Sequence, residues 1–129
     1  MRRRVLVGIF LSCIVTMLPS AETRSTRIDF VLFVDTSLSM VDAMKSAKEY
    51  VAGELVGRLV EPGDWVSVHK FYGTSELVWQ ADIAGEADIA SLIRSLEGLE
   101  ANGRFTDIGS ALDTMERLLD ERGLPERPK

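Results

Sequence analysis

The sequence predicts an α/β domain with helices on a central, mostly parallel sheet and the element order β-α-β-β-α-α. Three observations carry this. Residues 28–34 (Ile-Asp-Phe-Val-Leu-Phe-Val) are nearly all apolar and β-branched or aromatic, the pattern of a strand buried on both faces. Residues 65–71 and 76–83 read as two further strands, joined by a tight turn at Gly73-Thr74. Elsewhere, apolar residues recur at helical spacing in three stretches.

Taken in order, the first strand ends at Asp35. Met40, Met44, Ala47, Val51, Leu55 and Leu59 then form a stripe, with Lys45, Lys48, Glu49, Glu54 and Arg58 between them. That is an amphipathic helix of about five turns starting at Met40. Glu61-Pro62-Gly63-Asp64 is a turn. In the next strand Val66, Val68 and Lys70 share a face. Ile89, Leu92, Ile93, Leu96 and Leu99 make the second helical stripe, and residues 101–104 a loop. Ile108, Ala111, Leu112, Met115, Leu118 and Leu119 make the third, opening just after Thr106-Asp107, either of which suits a helix cap. Arg122-Gly123 stops it, and Pro125 and Pro128 follow.

The N-terminus is different. Arg2, Arg3 and Arg4 precede an uncharged, largely apolar run over residues 5–18, and Leu18-Pro19-Ser20-Ala21 follows. This is the layout of a signal peptide over residues 1–21. As a helix the run spans roughly 21 Å, against about 30 Å of hydrocarbon. An uncleaved N-terminal anchor is the alternative, with residues 5–18 as a membrane tether. A lipoprotein signal fits less well, because the apolar run continues past Cys13. The expected location is therefore exported: periplasmic, secreted or membrane-anchored. Residues 22–27 are a polar linker and residues 28–129 the domain.

Without the leader, 12 basic residues face 20 acidic ones, a net charge of −8. Such a surface is a poor partner for nucleic acid or anionic lipid. The single cysteine leaves with the leader, so no disulfide supports the domain.

In open α/β sheets ligands bind beyond the carboxyl ends of the strands. Asp35 lies there, followed by two hydroxyls, Ser37 and Ser39. Thr106 and Asp107 open another helix after a glycine-containing loop and add a hydroxyl and a carboxylate. All these groups are oxygens, which suit Mg²⁺, Mn²⁺ or Ca²⁺ and disfavour zinc or copper. Neutral hydroxyl ligands leave an ion most of its charge. An open coordination position then attracts a carboxylate from a protein partner.

Residues 28–40, with Asp35-Thr36-Ser37-Leu38-Ser39 at their centre, resemble the first strand and D-x-S-x-S motif of von Willebrand factor A domains. Residues 103–112 (Gly-Arg-Phe-Thr-Asp-Ile-Gly-Ser-Ala-Leu) are similar to the family's second metal-site segment. The resemblance covers residues 27–122. It implies a Rossmann-like fold and a metal-ion-dependent adhesion site (MIDAS) that holds Mg²⁺ or Mn²⁺. It further implies direct ligation by Ser37, Ser39 and Thr106, an indirect role for Asp35, and loop support from Asp107. Two departures stand out. Leu38 occupies a position where the family often has glycine. The family's next strand, ending in Thr-Asp-Gly, would begin about where Lys129 stands, so the expectation is the N-terminal half of the domain and an incomplete site.

The plainer alternatives are structural. Asp35, Ser37 and Ser39 could form a strand-end turn with ordinary capping, and Thr106-Asp107 a helix cap. Asp42 reads as a solvated residue near a helix N-terminus rather than a second-metal ligand. His69 reads as a packed strand residue, Trp65 and Trp79 as core or sheet-face residues, and Asp113, Glu116, Asp120 and Glu121 as a solvated helix face. Function divides three ways. Metal-dependent protein binding without catalysis comes first. A fragment that needs the rest of its domain is second, since the first strand would then be an apolar edge open to aggregation. An aspartyl phosphoryl hydrolase is third, and Ser37 stands where its general acid belongs.

Overall fold

The computed structural model describes residues 24–123. The expected leader, the first part of the linker, and Pro125 and Pro128 lie outside them. No helix among the described residues is long and apolar enough to cross a membrane.

A three-stranded sheet has the order β1-β2-β3. Strand β1 (Asp29–Asp35) pairs parallel with β2 (Trp65–Phe71), in a register running from Asp29↔Trp65 to Asp35↔Phe71. Strand β3 (Ser75–Asp82) pairs antiparallel with β2. The hairpin turn falls at Gly73-Thr74 as expected, with Tyr72 N–H donating to the Thr74 carbonyl at 2.9 Å. The register shifts between Val68 and His69, where β3 carries Val78 as an extra residue. Such a bulge bends its strand and increases local twist.

Helix α1 comprises three contiguous segments: α-helical Met44–Tyr50, π-helical Val51–Val56 and α-helical Gly57–Leu59. Helices α2 (Glu86–Glu97) and α3 (Ile108–Arg122) follow. The β-α-β-β-α-α order is therefore the one the periodicity predicts, with one boundary corrected. Helix α1 begins at Met44, not Met40. Leu38–Met40 forms a short 3₁₀ turn closed by Met40 N–H on the Ser37 carbonyl at 3.0 Å, and Asp42 lies exposed in the turn after it.

Alternation along the strands divides the core. On one face Val34, Val66 and Val68 meet Met44 and Val56 of α1 and Leu92 and Leu96 of α2. Leu92 and Leu96 are fully buried, so truncating either to alanine costs about 2–5 kcal/mol. On the other face Trp65, Ser67 and His69 are buried beneath α3, whose Arg122 guanidinium lies 4.5 Å over the Trp65 ring. Helices thus cover both faces.

A second correction concerns β1. Its sequence reads as buried on both faces, yet residues 30–33 are only half-buried, whereas β2 is buried from Trp65 to His69. Among the described residues β1 has a strand on one side only, and β2 is the central strand. Apolarity gave the strand but not its place in the sheet.

Helix α3 spans the sheet from end to end. Its cap, Asp107, lies at the end where β1 finishes, and its Asp107 side chain accepts from Ser110 N–H at 2.9 Å. Its last turn lies at the opposite end, where Arg122 Nε donates to Asp29 at 3.1 Å. Gly123 adopts a left-handed conformation (φ 48°) that closes the helix, and its N–H reaches the Leu119 carbonyl.

Candidate metal centre

The loop that follows β1 is held by backbone. Thr36, fully buried, donates both N–H and hydroxyl to the Phe71 carbonyl at 2.9 and 3.2 Å. Its own carbonyl accepts from Asn102 and Gly103, both at 3.0 Å. Leu38 N–H donates to the Gly103 carbonyl at 2.7 Å, and Ser37 pairs with Gly103 in a parallel bridge. The next carbonyl along β2, Tyr72, accepts from Asp107 N–H at 2.7 Å. Two consecutive carbonyls at the end of β2 therefore fix both loops: Phe71 holds residue 36 and Tyr72 holds residue 107.

Asp35, half-buried, accepts Ser37 N–H on Oδ1 at 2.8 Å. This short side-chain turn orients the serine loop. The hydroxyls of Ser37 and Ser39 face each other at 2.9 Å. Neither caps a helix: Ser37 makes no side-chain capping bond to the 3₁₀ turn, and α1 is capped at Ala43 without one. The capping alternative for these serines fails, because their hydroxyls are not spent on helix N–H groups. Ser37 is buried and Ser39 exposed, so the pair opens to solvent on one side.

Thr106 and Asp107 are both exposed. Asp107, rather than Thr106, is the cap of α3, as its bond to Ser110 shows. Of the five residues named from the sequence, Asp35 ends β1, Ser37 and Ser39 lie on the loop after it, and Thr106 and Asp107 lie on a second loop tied to the first and to β2; among the described residues the Thr106 hydroxyl makes no hydrogen bond to either serine. Neither Asp35 nor Asp107 forms an ion pair among the described residues.

Three residues that help build this end escaped the sequence reading. Phe71 and Tyr72 act through backbone carbonyls, which any residue supplies. Gly103 is different: a Cβ there would clash with Tyr72 Cβ and Cγ. The only sequence signal was a glycine in the loop before Thr106. Tyr72 is itself pinned, its hydroxyl donating to Glu76, whose other oxygen meets Lys70 Nζ at 3.0 Å. That contact raises the Tyr72 pKa, with burial and the Glu76 charge adding to it, and lowers the pKa of Glu76, which Lys70 also stabilises.

The donor chemistry is that of neutral oxygens. Among the described residues no three His, Cys, Asp or Glu side chains stand together, so a cation here rests on hydroxyls. An octahedral Mg²⁺ with oxygens at about 2.0–2.1 Å has neighbouring oxygens about 2.9 Å apart. The Ser37 and Ser39 oxygens stand at 2.9 Å, joined by a hydrogen bond that a cation binding both would replace.

Residues 30–129 match the von Willebrand factor type A domain family. The chain is 34% identical over 104 residues to an uncharacterized protein of Treponema pallidum (strain Nichols). That match takes in 79% of this chain and 47% of the relative, so the chain spans about half the relative's length. Solved structures share the fold. A von Willebrand factor type A protein from Catenulispora acidiphila aligns with a TM-score of 0.63 at 23% identity, covering 74% of this chain and 24% of that one. An uncharacterized membrane-spanning protein from Vibrio fischeri aligns at 0.63 and 22%, covering 78% and 53%. Proximal thread matrix protein 1 from the mussel byssus, with zinc in its MIDAS motif, aligns at 0.61 and 16%, covering 79% and 29%. With the strand, the serine loop and the threonine loop in the family's order, the chain belongs to the von Willebrand factor type A domain family.

Proposed function

We propose that this protein is a metal-dependent protein-binding module and not a catalyst. The cation is held at Ser37, Ser39 and Thr106, while Asp35 and Asp107 act through the loops they organise. One observation carries the reading: the two serine hydroxyls lie 2.9 Å apart at the end of a parallel strand, uncommitted to capping. Neutral ligands leave the cation's charge uncompensated, and the chemistry it supplies is attraction for a partner's carboxylate. Asp35 supplies the second-layer orientation that such sites need. Mg²⁺ or Mn²⁺ is the expected ion, bound weakly. The zinc of the mussel protein adds a third candidate. Residues 1–21 fit an export leader or membrane tether, which places the module outside the cytoplasm in this reading, with residues 22–27 as linker and 28–129 as domain.

The test is a calorimetric and melting titration of the chain with each ion. Millimolar Mg²⁺ or Mn²⁺ is expected to raise the melting temperature through linkage. Ser37→Ala with Ser39→Ala removes that rise while changing metal-free stability by less than about 1 kcal/mol, since the hydroxyls bond only to each other. Absence of heat and of any melting shift for the unmutated chain would contradict the reading.

A further inference from the structure

Helix α3 is lightly held where it meets the candidate site. Of its fifteen residues only Ala111 is buried, and Ile108 and Leu112 in its leading half are more than half exposed. A backbone bond, Asp107 N–H on the Tyr72 carbonyl, fastens that end to the sheet. Arg122 fastens the far end, on Asp29 and over Trp65. Segments with few buried apolar contacts open locally at low free-energy cost.

Beneath the leading half lies His69, two residues before the end of β2 and 7% exposed. Its ring stacks on Phe33 at 4.8 Å, with 7° between the planes. Its Nε2 stands 2.9 Å from Ser67 Oγ, which stands 3.1 Å from Gln80 Oε1. An amide oxygen only accepts, so the Ser67 hydroxyl spends its one proton on Gln80. Nε2 therefore carries the imidazole proton and donates to Ser67, and a second proton would go on Nδ1. The neighbouring elements offer that proton no counter-charge. Strand β1 has no charged residue between Asp29 and Asp35. On β3, Glu76 is bonded to Tyr72 and Lys70, and Asp82 faces Arg122. On α3, Asp113, Glu116 and Asp120 are exposed, and Glu121 pairs with Arg117. Burial first, and then the Arg117 charge, disfavour the charged ring.

We infer that His69 is a proton-operated catch on α3: a second proton on its ring lifts the leading half of the helix from the sheet and draws Thr106 away from the serine loop, so that mild acid weakens the cation site. Thr106 directly precedes the α3 cap, Asp107, and moves with it. The coupling rests on the cation-binding reading above. The charged ring is better accommodated with the helix lifted, so lifting grows as pH falls below the ordinary imidazole value of 6.5.

The experiment compares the full chain with His69→Gln at about pH 7.5 and about pH 5.5, on either side of that value. Amide hydrogen exchange reads α3, and the signal of free Mn²⁺ reads the site. In the unmutated chain, protection of amides 112–117 is expected to fall at least about threefold at the lower pH relative to that of α2. Half-saturation by Mn²⁺ is expected to rise by at least about 1.5-fold, because affinity falls only with the fraction of molecules whose helix is docked. His69→Gln is expected to show neither change. His69 is the chain's only histidine, so its ring resonance reports protonation without any mutation, and the loss of protection is expected to follow it. An equal loss in both proteins, no loss in the unmutated chain, or a loss whose midpoint departs from that resonance would overturn the inference. So would a loss confined to the unmutated chain with Mn²⁺ affinity unchanged. A chain that takes up no Mn²⁺ at the higher pH overturns the cation reading and the coupling to it, while the exchange data separately decide whether His69 holds the helix.

Discussion

Carboxylates stand at both ends of the sheet in opposite circumstances. Where β1 and β2 begin, Asp29 and Asp64 are each 1% exposed, and arginines meet them. Arg24 pairs with Asp64 at 2.5 Å, and Asp64 also accepts from Ile28 and Glu61 N–H, both at 2.8 Å. Arg122 pairs with Asp29 at 3.1 Å, reaches Asp82 at 3.5 Å and stacks on Trp65. Where β1 ends, Asp35 and Asp107 accept backbone N–H groups and pair with no arginine or lysine among the described residues. The difference teaches how one fold assigns its charges. Buried charge at the first end is closed by the protein's own cations, as burial demands. At the other end the oxygens are held in place by backbone N–H groups, the arrangement that the proposed cation site would use.

The comparison breaks most severely at Asp64. Asp64→Ala leaves Arg24 and two N–H groups without their acceptor, and is expected to lower stability by about 4 kcal/mol. Urea denaturation measures this. Arg122→Ala, which removes the guanidinium from the buried Asp29, is expected to cost about 2 kcal/mol by the same measurement. If the two ends are separate, variants that remain folded keep the metal response of the unmutated chain. At the other end, Gly103→Val forces the loop away from Tyr72. It is expected to cost about 2 kcal/mol as overpacking and to weaken metal binding, read as a higher midpoint in a Mg²⁺ melting titration.

The smallest effect concerns His69, which touches neither end. It stacks on Phe33 at 4.8 Å, and its Nε2 meets Ser67 Oγ at 2.9 Å. Burial lowers its pKa below 6.5, and the Arg117 charge adds to this. Between the folded-state value and 6.5 the unfolded chain binds the extra proton, so stability rises with pH across that window. His69 therefore contributes a loss of stability as pH falls below 6.5, which levels off once the folded-state value is passed. His69→Gln is expected to flatten that part of a stability–pH profile.

Much of this was legible in the sequence, and what escaped shares a physical cause. Periodicity found every strand and helix, because alternation and helical stripes are local. Thr106 and Asp107 were both open as the cap of α3, and the structure assigns that place to Asp107. The start of α1 was missed because Met40 continues the apolar stripe while its N–H closes on Ser37 in a 3₁₀ turn. The exposure of β1 was foreseen only in the fragment reading, because apolarity reports a strand's suitability for burial, not how many neighbours it has. The clamp between Arg122 and Asp29 joins residues 93 apart, which no local pattern records. At the candidate site, Asp35, Ser37 and Ser39 were legible as oxygen donors at a strand end. The carbonyls of Phe71 and Tyr72 that fix the two loops were not, because a backbone acceptor leaves no mark on residue identity.

The central claim is that the two loops at the end of β1 hold a divalent cation. Paramagnetic Mn²⁺ tests it most directly, read as line broadening of amide resonances across the chain. The ends of the sheet are about 20 Å apart for seven-residue strands at roughly 3.3 Å per residue, so a bound ion distinguishes them. Amides of residues 35–39 and 103–107 are expected to broaden first, with those of Asp29, Asp64 and Arg122 remaining sharp. Broadening centred on the acidic face of α3 at Asp113, Glu116 and Asp120, or no selective broadening at millimolar Mn²⁺, would contradict the account.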